Sequence, residues 1–83
     1  MNIENQNVEF KENWRDEYLK WICGFANDQG GALYIGVSDN GNVCGLQDAR
    51  KLMEYIPNKV RDLLGILVNV NQKSEEGKEY VEV

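Results

Sequence analysis

The sequence predicts an α+β fold: a mixed β-sheet with two helices packed on one face. Three observations lead there. Apolar residues recur at intervals of three and four over residues 14–26 and again over 47–64, marking two amphipathic helices. The stretches around them alternate polar and apolar, or run apolar in short blocks bounded by Gly, Asn and Asp, as strands and turns do. The resulting order is strand, helix, strand, strand, helix, strand, strand, and a sheet with its helices segregated to one face accommodates it. At 83 residues, the chain is one domain spanning 1–83.

The elements follow in order. Asn7-Val8-Glu9-Phe10-Lys11 alternates, with Val8 and Phe10 on one face and Glu9 and Lys11 on the other. Trp14, Tyr18, Trp21, Ile22, Phe25 and Ala26 form the stripe of the first helix, with Asn13 as its N-cap and Asp16 and Glu17 in its first turn. The aromatics of that stripe read as core packing. Gly30-Gly31 stops the helix, since glycine takes the left-handed conformation of a helix exit. Residues 32–38 form an apolar central strand in which Gly36 leaves room for a neighbour. Asp39-Asn40-Gly41-Asn42 is a hairpin turn that returns the chain into a strand over 43–46. In the second helix Ala49, Leu52, Met53, Ile56, Val60, Leu63 and Leu64 make one apolar stripe; Pro57 predicts a kink or two abutting helices, and Gly65 ends it. Residues 66–73 and 78–83 alternate as paired strands about the turn Ser74-Glu75-Glu76-Gly77. The pattern breaks off within Tyr80-Val81-Glu82-Val83, which suggests an N-terminal piece of a longer multidomain protein.

Composition narrows the function. A 42% hydrophobic content is too high for a disordered tail, and no apolar run approaches the ~18 residues of a membrane span. With no histidine, Ser-His and Cys-His catalysis are excluded within these residues. Cys23 and Cys44 read as reduced, buried thiols of a cytoplasmic protein, without a disulfide framework or a zinc site. Fourteen acids against nine bases give a net charge of −5, the wrong sign for a strong sequence-independent binder of nucleic acid acting alone.

Within that acidic total the bases cluster. Arg50, Lys51, Lys59 and Arg61 face only Glu54 over 50–61, and Lys11 lies at the end of the first strand. Screening limits each charge to about 8–10 Å, so a local patch could hold phosphate on an acidic domain; the ordinary solvated face of a helix is the competing reading. The glycine-rich stretch lacks the phosphate-loop pattern and precedes a strand, so it reads as turn geometry. Glu4, Glu9 and Asp39 could converge at one end of the sheet and hold Mg²⁺ or Mn²⁺ through hard oxygen ligands, although turn formation by Asp39 and a solvated strand face at Glu9 are the better explanation from spacing alone.

Taken together, Val8-Glu9-Phe10-Lys11-Glu12, Ile22-Cys23-Gly24-Phe25-Ala26-Asn27, Gly30-Gly31-Ala32-Leu33-Tyr34-Ile35-Gly36-Val37 and Asp39-Asn40-Gly41 followed by Gly45-Leu46 resemble the Schlafen AlbA-like DNA-binding domain. Ile56-Pro57-Asn58-Lys59-Val60-Arg61 is similar to the branch that opens bacterial proteins described as transcriptional regulators. The resemblance implies an Alba-like α+β fold and a nucleic-acid-binding role without a cofactor, in a larger and often oligomeric protein. DNA is the foremost partner and RNA the other. In that role the clustered bases Arg50, Lys51, Lys59 and Arg61, with Lys11, would contact phosphates, and backbone amides at Gly30 and Gly31 would assist. It also implies an alternative: Glu4, Glu9 and Asp39 fall where Schlafen ribonucleases carry a carboxylate trio, which would make the domain a Mg²⁺- or Mn²⁺-dependent ribonuclease. A protein-interaction or oligomerisation platform is the third reading.

Overall fold

Two strand–helix–strand passages and a closing hairpin build the structure, a computed structural model that describes residues 7–27 and 30–83. β1 (Val8–Lys11) leads through a 3-10 turn (Asp16–Tyr18) into α1 (Leu19–Ala26), and the chain returns as β2 (Ala32–Ile35). α2 (Ala49–Leu64) follows a loop and leads to β3 (Asn71–Glu75) and β4 (Lys78–Glu82). β1 and β2 pair in parallel, with Lys11 opposite Ile35; β4 runs antiparallel to both β2 and β3, and the sheet order is β1-β2-β4-β3. This is the mixed sheet of an α+β domain.

Side-chain alternation sorts the sheet into two faces. Leu33, Ile35 and Val81 pack against Leu19 and Ile22 of α1 and Ala49, Leu52, Ile56 and Val60 of α2, so both helices cover the same face. On the other face Phe10 and Tyr80 are buried with Val37 and Val43 of the loop. Each fully buried aliphatic or aromatic side chain contributes about 1.5–3 kcal/mol, and the face shared with the helices holds most of them.

Several elements are shorter than the sequence patterns predict. The first helix begins at Leu19, not near Trp14: Arg15 is extended (φ −138°, ψ 143°), and no side chain caps the 3-10 turn. The Trp14 indole N–H donates instead to Asp16 Oδ1 at 2.9 Å. The aromatics expected in the core are only half-buried, because the compact Leu19 and Ile22 occupy the sheet-facing positions. Trp21 lies about 100° round the helix from Ile22, which places the rings along the flank of α1.

The central strand stops at Ile35 because Gly36 takes φ +96°. The expected return strand over 43–46 is reduced to a single bridge, Val37 to Val43. The 39–42 turn does form: Gly41 N–H donates to Ser38 O at 2.9 Å, and Asn42 N–H to Asn40 Oδ1 at 3.1 Å. α2 starts at Ala49 and runs through Pro57 as one helix, not two, and Gly65 closes it in the left-handed conformation (φ 70°), its N–H on Arg61 O. The third strand forms only from Asn71, because 66–70 has no ladder partner among the described residues. Both cysteines are free, yet neither is buried as expected: Cys23 is half-exposed and Cys44 exposed. No helix among the described residues is long and apolar enough to cross a membrane.

Candidate nucleic-acid interface

The parallel strands end together, and the candidate charges of the loops gather at that end. Lys11 closes β1, and its ammonium lies 3.0 Å from Glu9 Oε2, 5.0 Å from the centre of the Tyr18 ring and 5.6 Å from that of Trp21. The hydrogen bond to Glu9 holds the Lys11 pKa above the ordinary lysine value, against the opposing effect of burial, and the charges of Glu9 and Asp39 add to it. Glu9, Lys11 and Asp39 therefore share one neighbourhood, while Glu4 lies outside the described residues. Lys11 is already paired, so a phosphate would have to displace Glu9 to reach it.

α2 spreads its four bases widely. Arg50 and Lys51 sit in its first turn, exposed and without an ion pair among the described residues. Arg61 is about 16 Å further along the axis and within about 20° of Arg50 around it, whereas Lys59 points about 160° away from Arg61. Arg61 Nε lies 3.3 Å from Asp62 Oδ1. Lys59 Nζ is 3.7 Å from Asp16 Oδ2 and 5.8 Å from the Tyr55 ring centre. Of the four bases of α2, Arg50 and Lys51 are thus the ones that a phosphate meets without a competing ion pair among the described residues.

Asp16 is the hub of a clasp that the sequence patterns did not single out. It accepts hydrogen bonds from the Trp14 indole and from the Tyr55 hydroxyl, which lies 2.9 Å from Oδ1 and 3.0 Å from Oδ2. Those bonds, with Lys59 nearby, hold its carboxyl below the usual carboxylate range. Tyr55 is 39 residues away in sequence, so no local spacing reveals the contact. Likewise, Tyr34 Oη donates to Glu82 Oε2 at 2.9 Å across the open face of the sheet, and Lys73 and Asn71 crowd the same carboxylate.

The glycines divide their roles. Gly30 (φ +94°) spends its N–H on Phe25 O at 3.0 Å, ending α1, so that amide is not free for phosphate. At Gly31 a Cβ would come within 2.6 Å of Asn7 O and 2.7 Å of the Phe25 ring, so the absence of a side chain lets β1, α1 and β2 close together.

A mixed sheet of this order, with two helices on one face, defines a small α+β domain of AlbA-like architecture. Over residues 4–81, nearly its whole length, the sequence matches the family described as Schlafen, AlbA_2, and the chain belongs to that family. It is thereby a nucleic-acid-related domain. No solved structure matches it.

Proposed function

We propose that the domain is the DNA-binding module of a transcriptional regulator and that it grips the phosphate backbone through the first turn of α2. Family membership is the observation that carries this reading. The free Arg50 and Lys51 side chains support it, since unpaired cations release counterions on meeting phosphate without first breaking a protein ion pair. Lys59, Arg61 and Lys11 form an outer set that exchanges a carboxylate for a phosphate and so contributes less each. Contacts of this kind position the duplex without reading its sequence.

Charge reversal provides the test. Arg50→Glu with Lys51→Glu weakens duplex binding by roughly tenfold or more near 0.1 M salt and lowers the steepness of log K against log salt by about 2. Lys59→Glu with Arg61→Glu has a smaller effect. Fluorescence anisotropy at several salt concentrations measures both, and an unchanged slope for the first pair removes α2 from the interface. A metal-dependent nuclease is the less favoured reading. The Lys11 ammonium lies 3.0 Å from Glu9 Oε2, so a metal ion at Glu9 would have to displace it.

A further inference from the structure

Ring contacts account for every aromatic residue of the chain but one. Phe10 and Tyr80 lie against Tyr34, Trp14 meets Tyr18 edge to face, and Trp21 packs beside Phe25. Tyr55, in the middle of α2, has no ring partner among the described residues. It is also the exposed one, at 39%, whereas the other aromatics are buried or half-buried.

The hydroxyl of this ring is held in place. Tyr55 Oη lies 2.9 Å from Asp16 Oδ1 and 3.0 Å from Oδ2, and the same Oδ1 takes the Trp14 indole N–H at 2.9 Å. The bond reaches from α2 to the 3-10 turn, 39 residues away, and fixes the ring in one orientation. A side chain ordered in advance loses little conformational entropy when a ligand covers it. With its hydroxyl engaged by Asp16, Tyr55 offers a π-face to the outside.

Cations flank that face along the helix. Lys51 sits one turn before Tyr55 and Lys59 one turn after it, each about 6 Å along the axis and about 40° round it, so the three share a stripe. Lys51 is exposed, and Lys59 Nζ lies 5.8 Å from the Tyr55 ring centre. Of the acids beside the stripe, Asp16 is shared among Trp14, Tyr55 and Lys59, and Asp62 lies against Arg61. Lysine, aromatic ring and lysine at one-turn intervals follow the order of phosphate, base and phosphate in a nucleic-acid strand. In a duplex each base is covered by its neighbours, so a lone ring finds a stacking partner only in an unpaired base.

We propose that Tyr55 is a stacking platform for an unpaired nucleobase, with Lys51 and Lys59 holding the phosphates on either side of it. The inference rests on the nucleic-acid-binding reading above and adds to its phosphate contacts a class of ligand, the single strand. Lys59 exchanges Asp16 for phosphate, while the Tyr55 hydroxyl stays on Asp16. Every base has a π-face, so the site selects for the absence of pairing and not for sequence.

Fluorescence anisotropy provides the test, with a thymidine dodecamer as probe and a dodecamer of the same backbone without bases as control. The chain is expected to bind the thymidine strand roughly tenfold more tightly than the abasic one at matched salt. Tyr55→Phe, which keeps the ring and loses the bond to Asp16, is expected to retain that preference within about threefold. Tyr55→Leu, which loses both, abolishes the preference and leaves binding of the abasic strand unchanged. In the unaltered chain, NMR signals of the Tyr55 ring protons should move upfield with the thymidine strand and stay in place with the abasic one. Equal binding of the two strands, equal preference in Tyr55→Leu and Tyr55→Phe, or ring protons that do not move each overturn the stacking site and leave the phosphate contacts of α2 standing. Failure to bind either strand or duplex overturns both readings.

Discussion

Two positions show how single residues set the limits of this fold. At Gly36 the backbone turns to φ +96°, and a Cβ would come within 2.8 Å of Leu46 Cγ, 3.2 Å of Tyr80 Cβ and 3.3 Å of Glu79 O. Neither the strain of a left-handed non-glycine residue nor the overpacking can be relieved without moving β4. Gly36→Ala therefore lowers stability by about 2–4 kcal/mol, a fall of roughly 8 °C or more in Tm by thermal denaturation. The Tyr34–Glu82 pair sets a pH window. Burial, with Glu82 close by, pushes the Tyr34 hydroxyl up to about 12, and the bond from Tyr34 holds the Glu82 carboxyl below its ordinary value of 4.5. A raised tyrosine pKa gives stability that is present below about pH 10 and lost as pH climbs toward 12; a lowered carboxylate pKa gives stability that is lost as pH falls below about 4.5. Tyr34→Phe is expected to flatten the alkaline limb of stability against pH in large part, leaving the share that the raised Lys11 pKa contributes, and the acid limb in part, as urea titrations from pH 3 to 11 would read. An alkaline limb unchanged from the parent would place the titrating group elsewhere.

Elements were legible where their signal is local and obscure where it depends on a partner. The 3.6-residue stripe of α2 carries its own proof, since Leu52, Ile56 and Val60 recur one turn apart and all are buried. The start of α1 is not visible in the sequence, because Trp14 and Tyr18 keep helical spacing although Arg15 between them is extended. Leu19 and Ile22, three apart and aliphatic, were the better markers of its buried side. Segment 66–70 has the alternation of a strand, yet a strand is defined by its ladder, and a ladder partner cannot be read from alternation. The candidate site divides in the same way: runs of charge are visible in the sequence, but the carboxylates that occupy Lys59 and Lys11 come from fold and register. Pro57 gives an element-scale prediction. Its missing N–H leaves the Met53 carbonyl without its usual helical donor inside an otherwise regular helix. Pro57→Ala restores that bond and, after the larger unfolded-state entropy of alanine is offset, raises stability by about 1–2 kcal/mol. Calorimetry would show a higher Tm, and a lower one would mean that the proline ring itself packs in place.

For the whole molecule the decisive quantity is where the net charge of −5 sits. β3 runs parallel to β2, because both are antiparallel to β4, so the β3–β4 turn lies at the end of the sheet where the loop leads into α2. Leu46, three residues before α2 begins, donates its N–H to Glu79 O at 2.8 Å and ties that hairpin to the approach of the helix. Glu75, Glu76 and Glu79, all exposed, therefore share an end of the molecule with Arg50 and Lys51 and oppose the same phosphates. Replacing the three by Gln takes the net charge from −5 to −2 and leaves every proposed contact in place. Opposition of this kind acts through solvent over several ångströms, so it fades as the Debye length contracts from about 30 Å at 0.01 M salt to about 8 Å at 0.15 M. The triple variant should bind duplex roughly three- to tenfold more tightly near 0.02 M salt, with the advantage shrinking below about twofold at 0.5 M. A gain that is independent of salt would mean a new local contact. Equal affinity at low salt would place the DNA on another side of the domain, away from both the hairpin and the first turn of α2.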